Sequence, residues 1–346
     1  MIGAGPRMFQ LPLGVDMDGL AILPALVNAH DHLELNHYPR SKFRPCYGNA
    51  REWGEDMNVR LGASPFRELR AYPLSDRLFI GGLKNLLCGA LTVAHHNPPH
   101  KELFRREYPV RVLRRYAWAH SLHFSTEAEI AAALRRIPRG SLFFIHLAEG
   151  TDATAAGEYA RLDALGGIDL NTVIVHGVGL TPDNVSDAAP QVRALVTCPT
   201  TNRFLLGQTA NTEAWRAAGG TVWIGSDSRL TADGDLLDEI NALSTADESA
   251  VVALERHRFH LPGLQHNPDS DWIAMRADAV MPLRRADLAL VVREGVPQIG
   301  DADLMTQFRD VPSVPATLDG RPKRIHRDLA HQMRRCTLQE AGLTLQ

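Results

Sequence analysis

Short runs of apolar and β-branched residues alternate along the chain with longer amphipathic stretches. The strand-like runs are "PALVNAH" (24–30), "ALTVAHH" (90–96), "VRVLRRYAWAH" (110–120), "LFFIHLAE" (142–149), "TVIVHGVGL" (172–180), "ALVTCPTT" (194–201) and "TVWIGSDS" (221–228). Because these runs are apolar throughout rather than at every second position, they predict a parallel sheet covered by helices on its outer face. Between them, "STEAEIAAALRRI" (125–137) and "TDATAAGEYARLDALG" (151–166) carry helical periodicity; Thr151 or Asp152 can cap the second and Gly166–Gly167 can stop it. A closed (β/α)8 barrel needs eight strands, one more than the runs above. The missing strand is expected between Val110 and Leu142, either as a second element within Val110–His120 or as a shortened wall.

After about residue 260 the pattern changes to short strands and turns, with "REG" and "IGD" reading as turns. "RIHRDLAHQMRRCTLQEAG" (324–342) predicts one terminal helix. The expected fold class is therefore α/β: a TIM-type (β/α)8 barrel over residues 24–260. Residues 1–23 and 270–346 would form a small, reduced β-sandwich-like appendage.

The length of 346 residues suits a barrel of ~250 residues plus an appendage better than two equal domains. A formal charge of −3, with both signs spread along the chain, gives no reason to expect a nucleic acid or an acidic membrane as partner. No apolar run approaches the ~20 residues of a membrane span, and the start lacks a basic region followed by an apolar one. The four cysteines form no CxxC pair. A reduced, cytoplasmic setting is the expectation, and homo-oligomerisation is left open.

The informative residues are those that end the strands. His30 and His32 follow the first run, His95 and His96 the second, His120 the third, His146 and Glu149 the fourth and His176 the fifth, while Asp227 closes the last. In an α/β barrel the strand C-termini form one face, so these groups would converge there. Residues two apart on a strand share a side, which lets His30 and His32 face the axis while Asp31 points away and is structural. Nitrogen and oxygen donors of this kind suit Zn²⁺ or Fe²⁺. Taken singly, H-x-H, His176 or the Asp227 turn is unremarkable; their ordered recurrence at strand ends argues for a metal site.

"LPALVNAHDHLE" resembles the first metal motif of the amidohydrolase superfamily. "IHLAEGT", "VIVHGVGLT", "TCPTTNRFLLG" and "IGSDSRLT" resemble its later motifs in the expected order, and "ADLALVVREGVPQIGD" resembles the strands that close its β-sandwich. The branch most similar is the cytosine deaminase-like one, which includes the triazine chlorohydrolases. The resemblance implies that His30, His32, His146 and Asp227 hold one divalent metal ion, with zinc the first choice and ferrous iron the second. It implies that Glu149 is the acid of an H-x-x-E motif, that His176 contacts the attacking water or the substrate, and that Asp227 takes a proton from that water. Binuclear members bridge their metals with a carboxylated lysine. No lysine lies between Lys101 and Lys323, so one ion is expected. Fewer residues precede His30 than the family's N-terminal sandwich needs, so the expectation is either a reduced appendage built mainly from the C-terminal part or a natural start that lies upstream.

His96, His120, Arg40 and Asn202 are further candidates for substrate contact, Arg40 suiting an anionic group. Trp53 is either an aromatic wall or a packing residue. The leading expectation is hydrolysis of a C–N bond in a small molecule, by deamination of a cyclic amidine or aminated heterocycle. The alternative within enzymes is hydrolysis of an amide, cyclic imide or lactam. The alternative outside them is a catalytically silent barrel that binds a ligand. "GAG" near the start lacks the full G-x-G-x-x-G that follows a strand in dinucleotide sites.

Overall fold

The computed structural model describes residues 15–259, 261 and 270–346. Residues 1–14 of the expected appendage and residue 260, the expected end of the barrel, lie outside it. Eight parallel strands form the barrel wall: β2 (Leu26–Asp31), β3 (Ala90–His95), β4 (Arg111–Val112), β5 (Tyr116–Ser121), β6 (Leu142–Leu147), β7 (Thr172–His176), β8 (Ala194–Thr197) and β9 (Val222–Ile224). They pair as two arcs, β2-β3-β4 and β5-β6-β7-β8-β9.

The stretch Val110–His120 does contain two strands. β4 pairs with β3, β5 pairs with β6, and only Leu113–Arg115 joins them, with no helix between. This wall is thus both divided and shortened. The opposite seam, between β9 and β2, is joined where the Asp227 N–H donates to the His30 carbonyl at 3.0 Å. Gly225 permits that approach, because a Cβ there would lie 2.5 Å from the His30 Cβ.

Alternation along β6 shows how the strands divide their burial. Leu142 and Phe144 fill the barrel interior with Val173, Val175, Ala194, Val196 and Trp223. Phe143, Ile145 and Leu147 pack outward against Ile130, Tyr159, Leu162 and Trp215 of the surrounding helices. Each such large apolar side chain contributes about 1.5–3 kcal/mol on burial. The helix Glu127–Arg135 begins in a capping box of Thr126 and Glu129, and Asp152, rather than Thr151, caps the helix Ala153–Ala164. Gly166, at φ +72°, ends it.

β1 (Leu20–Pro24) joins β10 (Trp272–Arg276), β11 (Leu288–Arg293), β12 (Val296–Asp301), β13 (Ser313–Leu318), β14 (Arg321–His326) and β15 (Leu343–Leu345) in one antiparallel sheet, in the order β1-β10-β11-β12-β14-β13-β15. The "REG" turn is present: Glu294 and Gly295 both have positive φ, as a two-residue hairpin requires. "IGD" is not a turn but the end of β12, paired with β14. The single terminal helix is also corrected, to the nine residues Arg327–Arg335 between β14 and β15. Sheet pairing holds Arg324, Ile325 and His326 extended despite a continuous helical pattern.

Candidate metal centre

The strand ends bring the histidines together. The pairing of β2 with β3 slips between Asn28 and Asp31; beyond the slip His30 and His32 face the site and Asp31 faces the opposite way. His30 Nε2 lies 3.2 Å from His146 Nε2 and 3.8 Å from Asp227 Oδ1, and His32 Nε2 lies 3.6 Å from the same oxygen. Single donor atoms of His30, His32 and His146 fall within 4.8 Å of one another, as do those of His30, His176 and Asp227. All five residues are buried.

Hydrogen bonding fixes how His30 presents itself. His96 Nε2 is 2.9 Å from the Ala119 carbonyl, which can only accept, so this nitrogen carries the proton. His96 Nδ1, 3.2 Å from His30 Nδ1, is then an acceptor, and His30 donates to it. That leaves His30 Nε2 as a bare lone pair facing His146, His32 and Asp227. Burial first, and the neighbouring imidazoles second, hold His30, His96 and His146 well below the usual histidine range. Neutral imidazoles converging on one carboxylate form a donor set that fits a divalent cation.

His176 enters by a backbone departure. Val173 and Val175 face the interior, so alternation would send His176 outward; its φ of +72° turns the ring into the site instead. Its Nδ1 donates to Asn202 Oδ1 at 2.8 Å, and Asn202 is itself fixed by Thr209 at 3.1 Å. His176 Nε2 is thereby left 3.5 Å from Glu149 Oε1. Glu149 follows another left-handed residue, Ala148, whose N–H donates to Glu158 at 2.7 Å. The Glu149 carbonyl accepts from Ala50 N at 2.8 Å, tying this loop to the helix Ala50–Arg60. Burial, then the Asp227 and Glu158 carboxylates, push the Glu149 carboxyl well above the usual range, which favours the protonated acid.

Comparison with solved structures finds this arrangement of strands elsewhere. The chain matches a zinc-bound adenosine deaminase from Xanthomonas campestris at TM-score 0.57 and 15% identity, covering 84% of each chain. It matches a zinc-complexed atrazine chlorohydrolase from Arthrobacter aurescens at 0.59 and 15%, over 84% of this chain and 87% of that one. It matches the Helicobacter pylori aminofutalosine deaminase, solved with methylthio-coformycin, at 0.59 and 17%, over 81% and 87%. These likenesses show a shared α/β barrel fold. A stretch of 77 residues is also 39% identical to the aminodeoxyfutalosine deaminase of Deinococcus radiodurans, spanning 22% of this chain and 18% of that relative's length. No protein-family model matches the chain.

At the mouth of this barrel lies a cavity of about 380 Å³. His32, His120, His146, Glu149, His176 and Asp227 line its floor, and Trp53, Met57, Leu61, Phe124, Leu205 and Leu230 line its walls. Trp53 is both wall and packing residue, its Nε1 donating to the Ser41 carbonyl at 3.0 Å. His120 reaches the cavity, and burial pulls it down to about 4.

The other three substrate candidates sit elsewhere. His96 lies beneath the floor against His30, and Asn202 lies behind His176. Arg40 is outside the lining, committed to the Thr231 and Thr200 carbonyls, to Asp233 and to the Phe204 ring face. Sequence reasoning missed Lys84, Asn85, Asn28 and Ser226, which surround Asp31 in a buried polar network. The available signal was a lone lysine within the apolar helix "LSDRLFIGGLKNLL" (74–87).

Proposed function

We propose that this chain is a metal-dependent hydrolase that adds water across a C–N bond and releases ammonia from an aminated heterocycle or cyclic amidine. The observation that carries the reading is the placement of a raised-pKa acid, Glu149, against His176 on the same cavity as the convergent His30, His32, His146 and Asp227. Those four residues would hold one divalent ion, zinc first, which when bound polarises a water for attack at neutral pH. Zinc in two of the structural relatives supports that choice.

The chain's own groups account for the remaining work. Asp227, 3.6 Å from His32, is placed to accept a proton from the attacking water. Glu149 holds its proton where a ring nitrogen or departing amine could take it. His176, its Nδ1–H committed to Asn202, presents Nε2 as an acceptor beside Glu149, where it can take a proton from the attacking water or from Glu149 as charge builds at the tetrahedral carbon. The apolar walls exclude competing water and fit a planar organic substrate. The residues of this site, the barrel over 24–260 and the appendage from 1–23 with 270–346 all belong to this proposal. So does a cytoplasmic setting, supported by four free thiols; among the described residues no helix is long and apolar enough to cross a membrane.

The test is metal analysis combined with ammonia release from a panel of purines, pyrimidines, pterins and triazines, on the natural chain and on Glu149→Gln. The expected result is about one metal ion in both and turnover only in the natural chain. A ring-opened product without ammonia would replace deamination by imide or lactam hydrolysis. Full activity in Glu149→Gln would remove the acid from the mechanism.

A further inference from the structure

We propose that Lys84 is a positioning residue of the metal centre, fixing the backbone turn that aims the Asp227 carboxylate, with Asp31 as its buried counter-ion. This inference rests on the metal-binding reading of His30, His32, His146 and Asp227. Lys84 projects from a helix whose other buried residues include Leu78, Phe79, Ile80, Leu83, Leu86 and Leu87. Its side chain and that of Asp31 are both 0% exposed, with Nζ 2.9 Å from Asp31 Oδ2. The ammonium also donates to Ser226 Oγ at 3.0 Å and to the Asp227 carbonyl at 3.1 Å. All three donors of a lysine are thereby spent.

A buried ion pair is seldom worth more to stability than apolar residues of equal volume, so its presence in an apolar helix face calls for another role. The role is visible at Asp227. This residue has φ +51°, a left-handed conformation that a non-glycine residue holds only when its surroundings impose it. Its N–H donates to the His30 carbonyl at 3.0 Å and its carboxylate accepts from Ser228 N at 2.7 Å and Thr231 Oγ1 at 3.1 Å, while its carbonyl accepts from Lys84 and from Ser226 Oγ at 2.9 Å. With the carbonyl drawn toward the helix, the carboxylate is directed the other way, toward His30 and His32.

Asp31 completes the device from the second strand. Lying between the two histidines, it accepts from Asn85 at 2.7 Å and from Asn36 at 2.9 Å as well as from Lys84. One ammonium therefore ties the end of β2 and the turn after β9 to a single helix. Three of the four candidate ligands sit on, or next to, residues that it holds.

The experiment compares the natural chain with Lys84→Met, Asp31→Asn/Lys84→Met and Ser226→Ala. Zinc affinity is read by competition with a chromophoric chelator, geometry by the visible absorption of the cobalt-substituted protein, and folding by thermal melting. The double variant removes both charges together, so it separates charge balance from positioning. We expect zinc binding roughly 10- to 100-fold weaker in both Lys84 variants, the range of lost support behind a metal ligand. An altered cobalt spectrum should accompany it, even where the double variant melts near the natural chain. A folded double variant with natural zinc affinity and cobalt spectrum would overturn the inference. If the Lys84 variants do not fold, Ser226→Ala decides: weaker zinc binding supports positioning and unchanged binding overturns it. A natural chain that takes up no zinc overturns the metal reading and this inference together.

Discussion

Replacing Gly225 by alanine tests whether the seam between β9 and β2 sets the metal centre. The new Cβ would lie 2.5 Å from the His30 Cβ, 2.9 Å from its nitrogen and 3.0 Å from its carbonyl oxygen. Comfortable carbon contacts are about 3.5–4.0 Å, so the strands must separate by roughly 1 Å. No rotamer change relieves this, because every neighbour is backbone or Cβ. The seam is also pinned on either side, by Asp227 N on the His30 carbonyl at 3.0 Å and Ser226 N on Asn28 Oδ1 at 3.0 Å. Overpacking of this kind costs about 1–3 kcal/mol, which for a chain of this size lowers the melting temperature by about 1–4 °C. The same displacement moves Asp227 away from His30 and His32, so turnover should fall by about 10²-fold and zinc should bind more weakly. Gly157→Ala is the control. It lies within the helix Ala153–Ala164 with nothing within 4 Å of its Cβ position, so the change should stabilise by about 0.5–1 kcal/mol. Natural melting and zinc affinity in Gly225→Ala would refute the claim that the seam tolerates only glycine.

Asn202→Leu should retain metal but lose about 10²-fold in kcat, since His176 Nδ1 loses the acceptor that orients it; steady-state ammonia release checks this, and an unchanged rate would return Asn202 to a packing role. Glu158 is held up at about 6 by burial, against an ordinary value of 4.5. Ionisation therefore costs the folded state more than the unfolded one, and stability falls as pH rises from about 4.5 through 6. A difference of about 1.5 in pKa bounds that loss at about 2 kcal/mol. Burial also raises Asp235 to about 6 and Glu239 to about 8, so urea melts should show a decline in both proteins that is shallower in Glu158→Gln; superimposable declines would contradict the buried carboxylate. Glu340→Gln should destabilise by about 3 kcal/mol, because a fully buried carboxylate pairs there with Arg229 and Arg285 and its loss strips Arg229 of its counter-charge and leaves Arg285 with Asp319 alone. Denaturant melts would read this, and a change below about 0.5 kcal/mol would show the pair to be a surface-type contact.

What could be read in advance followed from periodicity, and what could not followed from its local failure. The parallel arcs were legible because β6 and its neighbours are apolar on both faces, and convergence of His30, His32, His146 and Asp227 needed only the rule that barrel strands end on one face. The division of Val110–His120 was legible only as a missing strand, since nothing in "VRVLRRYAWAH" marks where the chain leaves β3 for β6. His176 defeated alternation outright. Its ring reaches the site through a left-handed φ that no residue type announces, and its acceptor, Asn202, lies in the helix Pro199–Leu206 that follows the next strand. Asn202 and His96 were read as candidates for substrate contact; the structure puts Asn202 against His176 Nδ1 and His96 against His30 Nδ1, contacts that no spacing in the sequence announces.

Asp31 was read as structural from the two-residue repeat alone, and its side chain does point away from the histidines. The repeat could not supply its partner. Lys84 lies far along the chain on a helix that composition reads as plain core, so the pair exists only once the helix packs on β2. Electrostatics makes the pairing informative: an isolated ammonium in that apolar face would be untenable, and an isolated Asp31 carboxylate equally so. Each charge is tolerable only because the fold delivers the other. A chain that keeps such a pair directly behind two candidate metal ligands gains rigidity where a loose ligand would cost affinity.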